Sequence, residues 1–262
     1  MPAPFPTFII IGAERSGTRW LRFNLDRHPD VFAPPARPEY YLDHEAMGTR
    51  GTRWYRQHFQ GWNGQTAIGE CSPGYLDPQG DFRAAARRMV RALPDVRLIA
   101  IVRDPLDRLS SLVRVRQRMG MLPPGATLGE VAERVFEALG PEGLSTALMQ
   151  AAVCAPSLRV FHEAFGDRLL VLFYDDVRSD PGALYARALE HIGVDTGFVP
   201  DDLARVRFAG PTGPGVMPTA DAEVRGEVIG FYRLDAEVIE RLTGRDLSAW
   251  KSVEPPEQAV ER

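Results

Sequence analysis

The sequence has little of several features that would assign it to a class at once. Its two cysteines, Cys71 and Cys154, lie far apart and in no C-x-x-C spacing, so the sequence predicts neither a disulfide framework nor a zinc site. Lys251 is the single lysine, so any cationic role in a site falls to arginine. We find no apolar segment near the N-terminus long enough for a signal peptide or a membrane span. We therefore expect a cytoplasmic protein that binds neither a membrane nor a metal.

The chain also lacks an excess of positive charge. Its 262 residues carry a formal net charge of -4, which argues against a general nucleic-acid-binding protein. We find no internal repeat, and the length suits one α/β domain. We expect a single domain over residues 1–252, followed by a frayed tail over 253–262.

The N-terminal stretch predicts a strand, a loop and a helix. Residues 8–11 form an apolar run typical of a buried strand, and an amphipathic pattern begins at Trp20. A loop between them leaves backbone N–H groups unpaired at the helix N-terminus, where the helix dipole also favours negative charge. The pattern therefore predicts an anion-binding loop.

The side chains of this loop suit a phosphate or a sulfate. Ser16 and Thr18 supply hydroxyl donors, and the forked donors of Arg15 match an oxyanion. Gly12 and Gly17 remove side chains that would keep an anion from the backbone, although a tight turn with two structural glycines is the alternative. A Walker A loop would need Lys and then Ser or Thr where this chain has Thr and Arg, so the loop is not an ATP-binding P-loop.

Further elements alternate along the chain. Apolar runs predict strands at residues 66–70, 96–102 and 169–174, and residues 31–41 are extended. Helices are predicted at 49–59, 82–93, 106–119, 127–139, 145–165, 181–192 and 222–242, while 194–220 is a long loop typical of a lid. Short connections between strands and helices imply right-handed βαβ units. The fold class that we predict is a three-layer, P-loop-like α/β fold with a central parallel sheet flanked by helices.

Two blocks that follow strands carry a family resemblance. Residues 12–20 and 101–111 resemble, in that order, the 5′- and 3′-phosphate-binding motifs of sulfotransferases that use 3′-phosphoadenosine 5′-phosphosulfate (PAPS). Family-like segments also occur at residues 39–41, 69–76, 170–177 and 229–250. The likeness touches nearly the whole chain and implies the transfer of a sulfuryl group, with adenosine 3′,5′-bisphosphate (PAP) as the second product.

The resemblance also implies cofactor-binding roles. Ser111 and Arg103 match the pair that holds the 3′-phosphate, although a salt bridge from Arg103 and a solvent-facing Ser111 would be the structural alternative. Trp20 is expected against the adenine. The loop residues that are expected at the 5′-phosphosulfate are Arg15, Ser16, Gly17, Thr18 and Arg19.

The carbohydrate-type enzymes of this family carry a Glu before an aromatic pair, which here matches Glu39. That resemblance implies that Glu39 is the general base that takes the proton of the acceptor hydroxyl. The family commonly has Lys in the loop and shortly before this Glu, where this chain has Arg15 and Arg37. Arginine can stabilise the leaving oxygen but does not readily give up its proton. The late loop has no Arg-Lys-Gly, and Arg205 or Arg207 are the candidates to replace it.

Three functions stay open at this point. The first is a PAPS-dependent sulfotransferase acting on a hydroxyl of a sugar or a small natural product. The second is a P-loop kinase that transfers phosphate from ATP, with Asp104 holding the metal ion. The third is a nucleotide-binding scaffold without chemistry. The acceptor is not indicated, since the aromatic side chains that could line its pocket suit a sugar or a polyketide equally: Tyr40, Tyr41, Trp54, Tyr55 and Trp62.

Overall fold

A computed structural model describes residues 4–34, 46–78, 80–123, 125, 129–130, 150–205 and 222–252. The chain forms two compact units, the first from residues 1–103 and 157–210 and the second from residues 104–156 and 211–262. The single domain expected over residues 1–252 stays a prediction. The expected tail, 253–262, lies outside the described residues.

The first unit contains a five-stranded parallel sheet with the strand order β2-β3-β1-β4-β5. In its centre, Ile10 of β1 lies opposite Cys71 of β3 and Ile99 of β4. The strands are β1 (Phe8–Gly12), β2 (Val31–Phe32), β3 (Ala67–Cys71), β4 (Arg97–Val102) and β5 (Leu169–Phe173). All carboxyl ends of parallel strands lie at one edge of a sheet. The predicted central parallel sheet is thereby confirmed, and β2 is an addition within the segment expected to be extended.

Helices follow the strands. Those of the described residues are α1 (Thr18–Leu25), α2 (Ala46–Gln57), α3 (Phe82–Ala92), α4 (Pro105–Arg118), α5 (Ala155–Phe165), α6 (Tyr174–Ser179), α7 (Pro181–Ile192) and α8 (Ala222–Thr243). A 3₁₀ turn at Pro73–Leu76 follows β3, and another at Ser248–Lys251 packs against α8. None of these helices is long and apolar enough to cross a membrane.

The central strand is buried on both faces, as its continuous apolar run predicts. Every residue of β1 is buried. Phe8 and Ile10 pack with the apolar sides of α1 and α7, while Ile9 and Ile11 point to the other face and are also fully buried. Both faces of the sheet are therefore covered, which fixes the position of its carboxyl edge.

One predicted helix is wrong in its extent. Residues 145–165 were expected to form one helix, but residues 152–154 are not helical and α5 begins at Ala155. The backbone N–H groups of Cys154 and Ala155 donate to the carboxylate of Asp235 on α8, and Pro156 suits the first helical turn. A helix start is thus made here by a side chain distant in sequence. The helix predicted at 127–139 lies almost entirely outside the described residues.

In the second unit, α4 packs against α8. Their contact is apolar and includes Leu109, Val113, Val228 and Tyr232. Arg108 is buried beside this contact, and its Nη1 donates to the carbonyl of Ala152 at 3.1 Å. The packing fixes α4, which carries the predicted 3′-phosphate ligand Ser111.

Candidate active site

The predicted anion loop begins inside the sheet. Beyond β1, the N–H of Ala13 donates to the carbonyl of Ile101 on β4 at 2.8 Å, and the N–H of Ser16 donates to the carbonyl of Ala13 at 3.2 Å. Helix α1 then starts at Thr18 with Gly17 as its N-cap, which has no side chain to accept from the first-turn N–H groups. Those N–H groups are available to a ligand at the carboxyl edge of the sheet.

The two glycines of the loop are required by the fold as well as by a ligand. Gly12 has φ +147°, and a Cβ there would lie 2.7 Å from the carbonyl oxygen of Pro73. Gly17 has φ +94°, and its Cβ would lie 2.9 Å from the ring of Tyr174. Neither position tolerates a side chain. The sequence left two reasons for these glycines open, an anion and a tight turn, and these contacts show that the turn itself requires them.

Ser16 is the strongest sign of a ligand in the loop. The residue is 0% exposed, and its Oγ has no hydrogen-bond partner among the described residues. A buried hydroxyl without a partner costs free energy, so such groups in native proteins usually serve a ligand or a water. Thr18 is also buried, one residue into α1. A phosphate or sulfate oxygen at the N-terminus of α1 would satisfy Ser16.

Arginine charge is concentrated beside the loop. Arg103 follows β4, is buried, and donates from Nη1 to the carbonyl of Arg15 at 3.2 Å. Its guanidinium lies 4.3 Å from the centroid of the Tyr174 ring, and that of Arg178 lies 5.8 Å from the same centroid. Arg15, which has φ +64°, is half-buried in the loop itself. The fold therefore brings together the two junctions at which sequence analysis placed anion-binding residues.

Two other predicted cofactor ligands lie on α1. Trp20 is buried in the core, and its Nε1 donates to the carbonyl of Leu203 at 3.1 Å. Its contact with an adenine stays a prediction. Arg19, the preceding residue, is exposed.

Ser111 lies on α4 in the second unit and is buried. Its action with Arg103 on one 3′-phosphate stays a prediction. Asp104 caps α4, since its side chain accepts from the N–H of Asp107 at 3.0 Å. An acid at this strand end thus has a structural role that requires no metal. Within the part of the chain that the structure describes, no group of three or more His, Cys, Asp or Glu side chains could hold a metal ion.

The expected general base is not among the described residues. Glu39, together with Arg37 and Arg207, lies outside them, while Arg205 is described and exposed. The role of Glu39 as a base stays a prediction.

A different carboxylate lies at the carboxyl end of β3. Glu70 is 0% exposed and accepts hydrogen bonds from Ser72 Oγ at 2.7 Å, from Tyr75 Oη at 2.9 Å and from Tyr55 Oη. Burial raises the pKa of the Glu70 carboxyl, while these three hydroxyls and the charge of Arg22 oppose the rise. The three hydroxyl partners of Glu70 were not predicted, and the one available signal was a Glu near the end of a strand, followed by Cys-Ser-Pro-Gly-Tyr.

Comparison with known proteins finds similarity to sulfotransferases. Residues 6–88 match the model described as "Sulfotransferase family". A membrane-associated sulfotransferase of Dictyostelium discoideum, kil1, is 31% identical over 106 residues, which cover 39% of this chain and 21% of kil1. Human heparan sulfate glucosamine 3-O-sulfotransferase 3B1 is 27% identical over 260 residues, which cover 92% of this chain and 64% of that protein. The chain thus spans less than two thirds of the length of these relatives.

Solved structures share the fold. A sulfotransferase from Alicyclobacillus acidocaldarius superposes with a TM-score of 0.77 at 24% identity, covering 95% of this chain and all of that chain. A mouse sulfotransferase complexed with PAP superposes with a TM-score of 0.50 at 14% identity, covering 93% of this chain and 86% of that chain. The matched segment contains the whole loop from Gly12 to Trp20. The chain is therefore similar to sulfotransferases in this segment and in its fold.

Proposed function

We propose that the protein is a PAPS-dependent sulfotransferase that moves the sulfuryl group to a hydroxyl of a sugar or a small natural product. The observation that carries this proposal is the buried Oγ of Ser16 at the N-terminus of α1, which has no hydrogen-bond partner within the described ranges. Arg15 and Arg103 lie at the same loop, so hydroxyl, backbone N–H and guanidinium donors converge where an anionic group of PAPS would bind.

The relatives favour this choice of donor and acceptor. The vertebrate relatives are named heparan sulfate glucosamine 3-O-sulfotransferases, and the 3-O position of a glucosamine is a carbohydrate hydroxyl. One structure of the same fold was solved with PAP. The kinase alternative is not favoured, because the loop lacks the Walker lysine and Asp104 caps α4.

The residues of the chain can be assigned to the steps of the transfer. The N–H groups at the start of α1, with Ser16 and Arg15, would bind the 5′-phosphate and stabilise the negative charge that develops on its oxygen as the bond to sulfur breaks. The oxygen of the acceptor hydroxyl would form the new bond to sulfur, and Glu39 would accept the proton that this hydroxyl loses. Arg15 stays protonated throughout, so its contribution is charge stabilisation and positioning. Buried Arg103 would hold the 3′-phosphate, with Ser111.

The role of Glu39 is tested by Glu39→Gln, which keeps the shape of the side chain and removes its basicity. We expect turnover to fall by about 10²–10⁴-fold while the affinity for PAP is retained. The loss should appear mainly in kcat, because proton transfer belongs to the transition state. An acidic phenol should suffer less than an alkyl alcohol. Glu163→Gln, at an exposed position of α5, is the matched control; near-normal kcat of Glu39→Gln on an alcohol would make Glu39 structural.

The proposed function itself is tested with radiolabelled PAPS against a panel of sugars, phenols and hydroxylated metabolites. Transfer of label to any of them supports the proposal and identifies the acceptor class. Binding of PAP without transfer to any acceptor would instead support the scaffold alternative. A cytoplasmic location is part of the proposal and rests on composition alone, so cell fractionation is its test.

A further inference from the structure

Glu70 combines complete burial with three hydroxyl donors that come from two parts of the chain. Ser72 and Tyr75 belong to the turn that follows β3, and Tyr55 belongs to α2. Tyr55 and Tyr75 are themselves 0% exposed, and Ser72 is 3% exposed. The cluster is therefore closed to solvent.

The turn held by Glu70 lies directly beneath the anion loop. The N–H of Ser72 donates to the carbonyl of Ile10 on β1 at 3.0 Å. A Cβ on Gly12 would lie 2.7 Å from the carbonyl oxygen of Pro73 and 2.9 Å from Cβ of Leu76. The backbone of the turn thus packs against the first residue of the loop, with no side chain between them.

Glu70 is not placed to exchange a proton with an acceptor. Its side chain has no exposed surface, and its oxygens accept from three protein hydroxyls. A buried carboxylate is costly, and well-packed apolar side chains often provide equal or greater stability. What a carboxylate can do, and an apolar group cannot, is hold several hydroxyls in one fixed arrangement.

We propose that Glu70 is a positioning residue for sulfuryl transfer: through Ser72 and Tyr75 it fixes the turn at residues 72–76, and this turn fixes Gly12 and the anion loop. The expected effect on sulfuryl transfer rests on the proposed function. The expectation that Glu70 fixes the turn and the loop does not. It also gives Glu70 a role distinct from that of the general base.

The first variant is Tyr75→Phe, which removes one buried hydroxyl from the turn. Its matched control is Tyr185→Phe, since Tyr185 is also buried and its Oη donates to the carbonyl of Asn24 at 3.1 Å, outside the cluster. We expect similar losses of thermal stability from the two variants. Only Tyr75→Phe should lower kcat/KM for PAPS, by about tenfold, because small displacements of a positioned anion site are expensive. Equal kinetic losses in the two variants would overturn the proposal.

A second variant, Glu70→Gln, separates positioning from proton transfer. A positioning role predicts a lower kcat/KM for PAPS with the acid limb of the pH–rate profile still present, because the base is another group. Loss of that limb in Glu70→Gln would show that Glu70 is the base and would overturn the proposal.

Amide hydrogen exchange gives a readout that needs no PAPS. We expect the peptide containing residues 12–18 to exchange faster in Tyr75→Phe and unchanged in Tyr185→Phe. Unchanged exchange in both variants would contradict the link between the turn and the loop. If the wild-type protein neither binds PAP nor transfers sulfate, the proposed function fails, and this measurement still decides whether Glu70 positions the loop.

Discussion

At the scale of single residues, Gly17 serves both the fold and the site. Its φ of +94° favours glycine, and a Cβ there would lie 2.9 Å from the ring of Tyr174. The same ring contacts the guanidinium of Arg103. A side chain at position 17 would therefore displace Tyr174, and with it an arginine of the candidate site.

Gly17→Ala and Gly64→Ala separate the clash from the backbone strain. Gly64 has φ +89°, but no atom lies within 4 Å of its Cβ position. Alanine at positive φ should lower the free energy of unfolding of both variants by about 1–2 kcal/mol. Gly17→Ala must also move Tyr174, which should lower it by about 1–3 kcal/mol more. We expect urea unfolding to show this difference, with weaker PAP binding in Gly17→Ala alone. Equal stabilities would show that Tyr174 moves aside without cost.

Much of the loop was predictable from sequence, because its residues are consecutive. Arg15, Ser16 and Thr18 follow an apolar strand and precede an amphipathic helix, so local pattern alone places them at a helix N-terminus. The contact of Arg103 with the carbonyl of Arg15 spans 88 residues and depends on which strands are neighbours. The hydroxyl partners of Glu70 lie within 15 positions of it, but local pattern does not show that the turn after β3 and α2 direct their hydroxyls to one carboxylate.

At the scale of elements, prediction succeeded where a strand is one continuous apolar run. Continuous apolar runs gave β1, β4 and β5 within one or two residues of their observed limits. It failed for β2, which has two residues. It also failed at the start of α5, because the cap, Asp235, lies about 80 residues further along the chain. Helix starts capped from a distance leave no local signal.

This distant cap predicts a pH dependence of stability. Burial raises the pKa of Asp235 from 3.8 to about 6, opposed by the N–H groups of Ala155 and Cys154 and by the charge of Arg108. The folded state thus binds this proton more tightly than the unfolded state. The stability it contributes is complete below pH 3.8 and is lost as the pH rises through about 6.

As the pH rises from 4 to 6.5, the wild type should lose the stability that protonated Asp235 contributes, whereas Asp235→Asn should not. The free energy of unfolding of the variant should therefore rise relative to that of the wild type. The shift should be at most about 3 kcal/mol, measured by urea unfolding at each pH. Asp246→Asn is the control, since hydrogen bonds from Ser248 lower the pKa of that exposed carboxyl from 3.8. Its difference should change only below about pH 4, in the opposite direction. A flat profile for Asp235→Asn would mean that Asp235 has an ordinary pKa.

At the scale of the whole molecule, the distribution of charge matters more than its sum. The chain is acidic overall, with a formal net charge of -4, and its proposed ligand is strongly anionic. Binding therefore depends on arginines held locally at the loop, because the net negative charge of the chain opposes the approach of an anion. Arg103 is the buried member of that group, so its charge is the least screened.

A ligand that binds only the native state stabilises the whole chain, by about 2.7 kcal/mol at a hundredfold excess over Kd. We expect PAP to raise the unfolding temperature of the wild type, and ATP with Mg²⁺ to have little effect. Arg103→Ala should weaken PAP binding by about 1.5–3 kcal/mol, the usual worth of a charge-assisted hydrogen bond. At a fixed PAP concentration, most of the thermal shift should then disappear. Arg187→Ala, which removes an exposed arginine of α7, controls for the change in net charge and should keep the full shift. An unchanged shift in Arg103→Ala would remove Arg103 from the site, whereas stabilisation by ATP with Mg²⁺ and not by PAP would favour the kinase and reject the sulfotransferase.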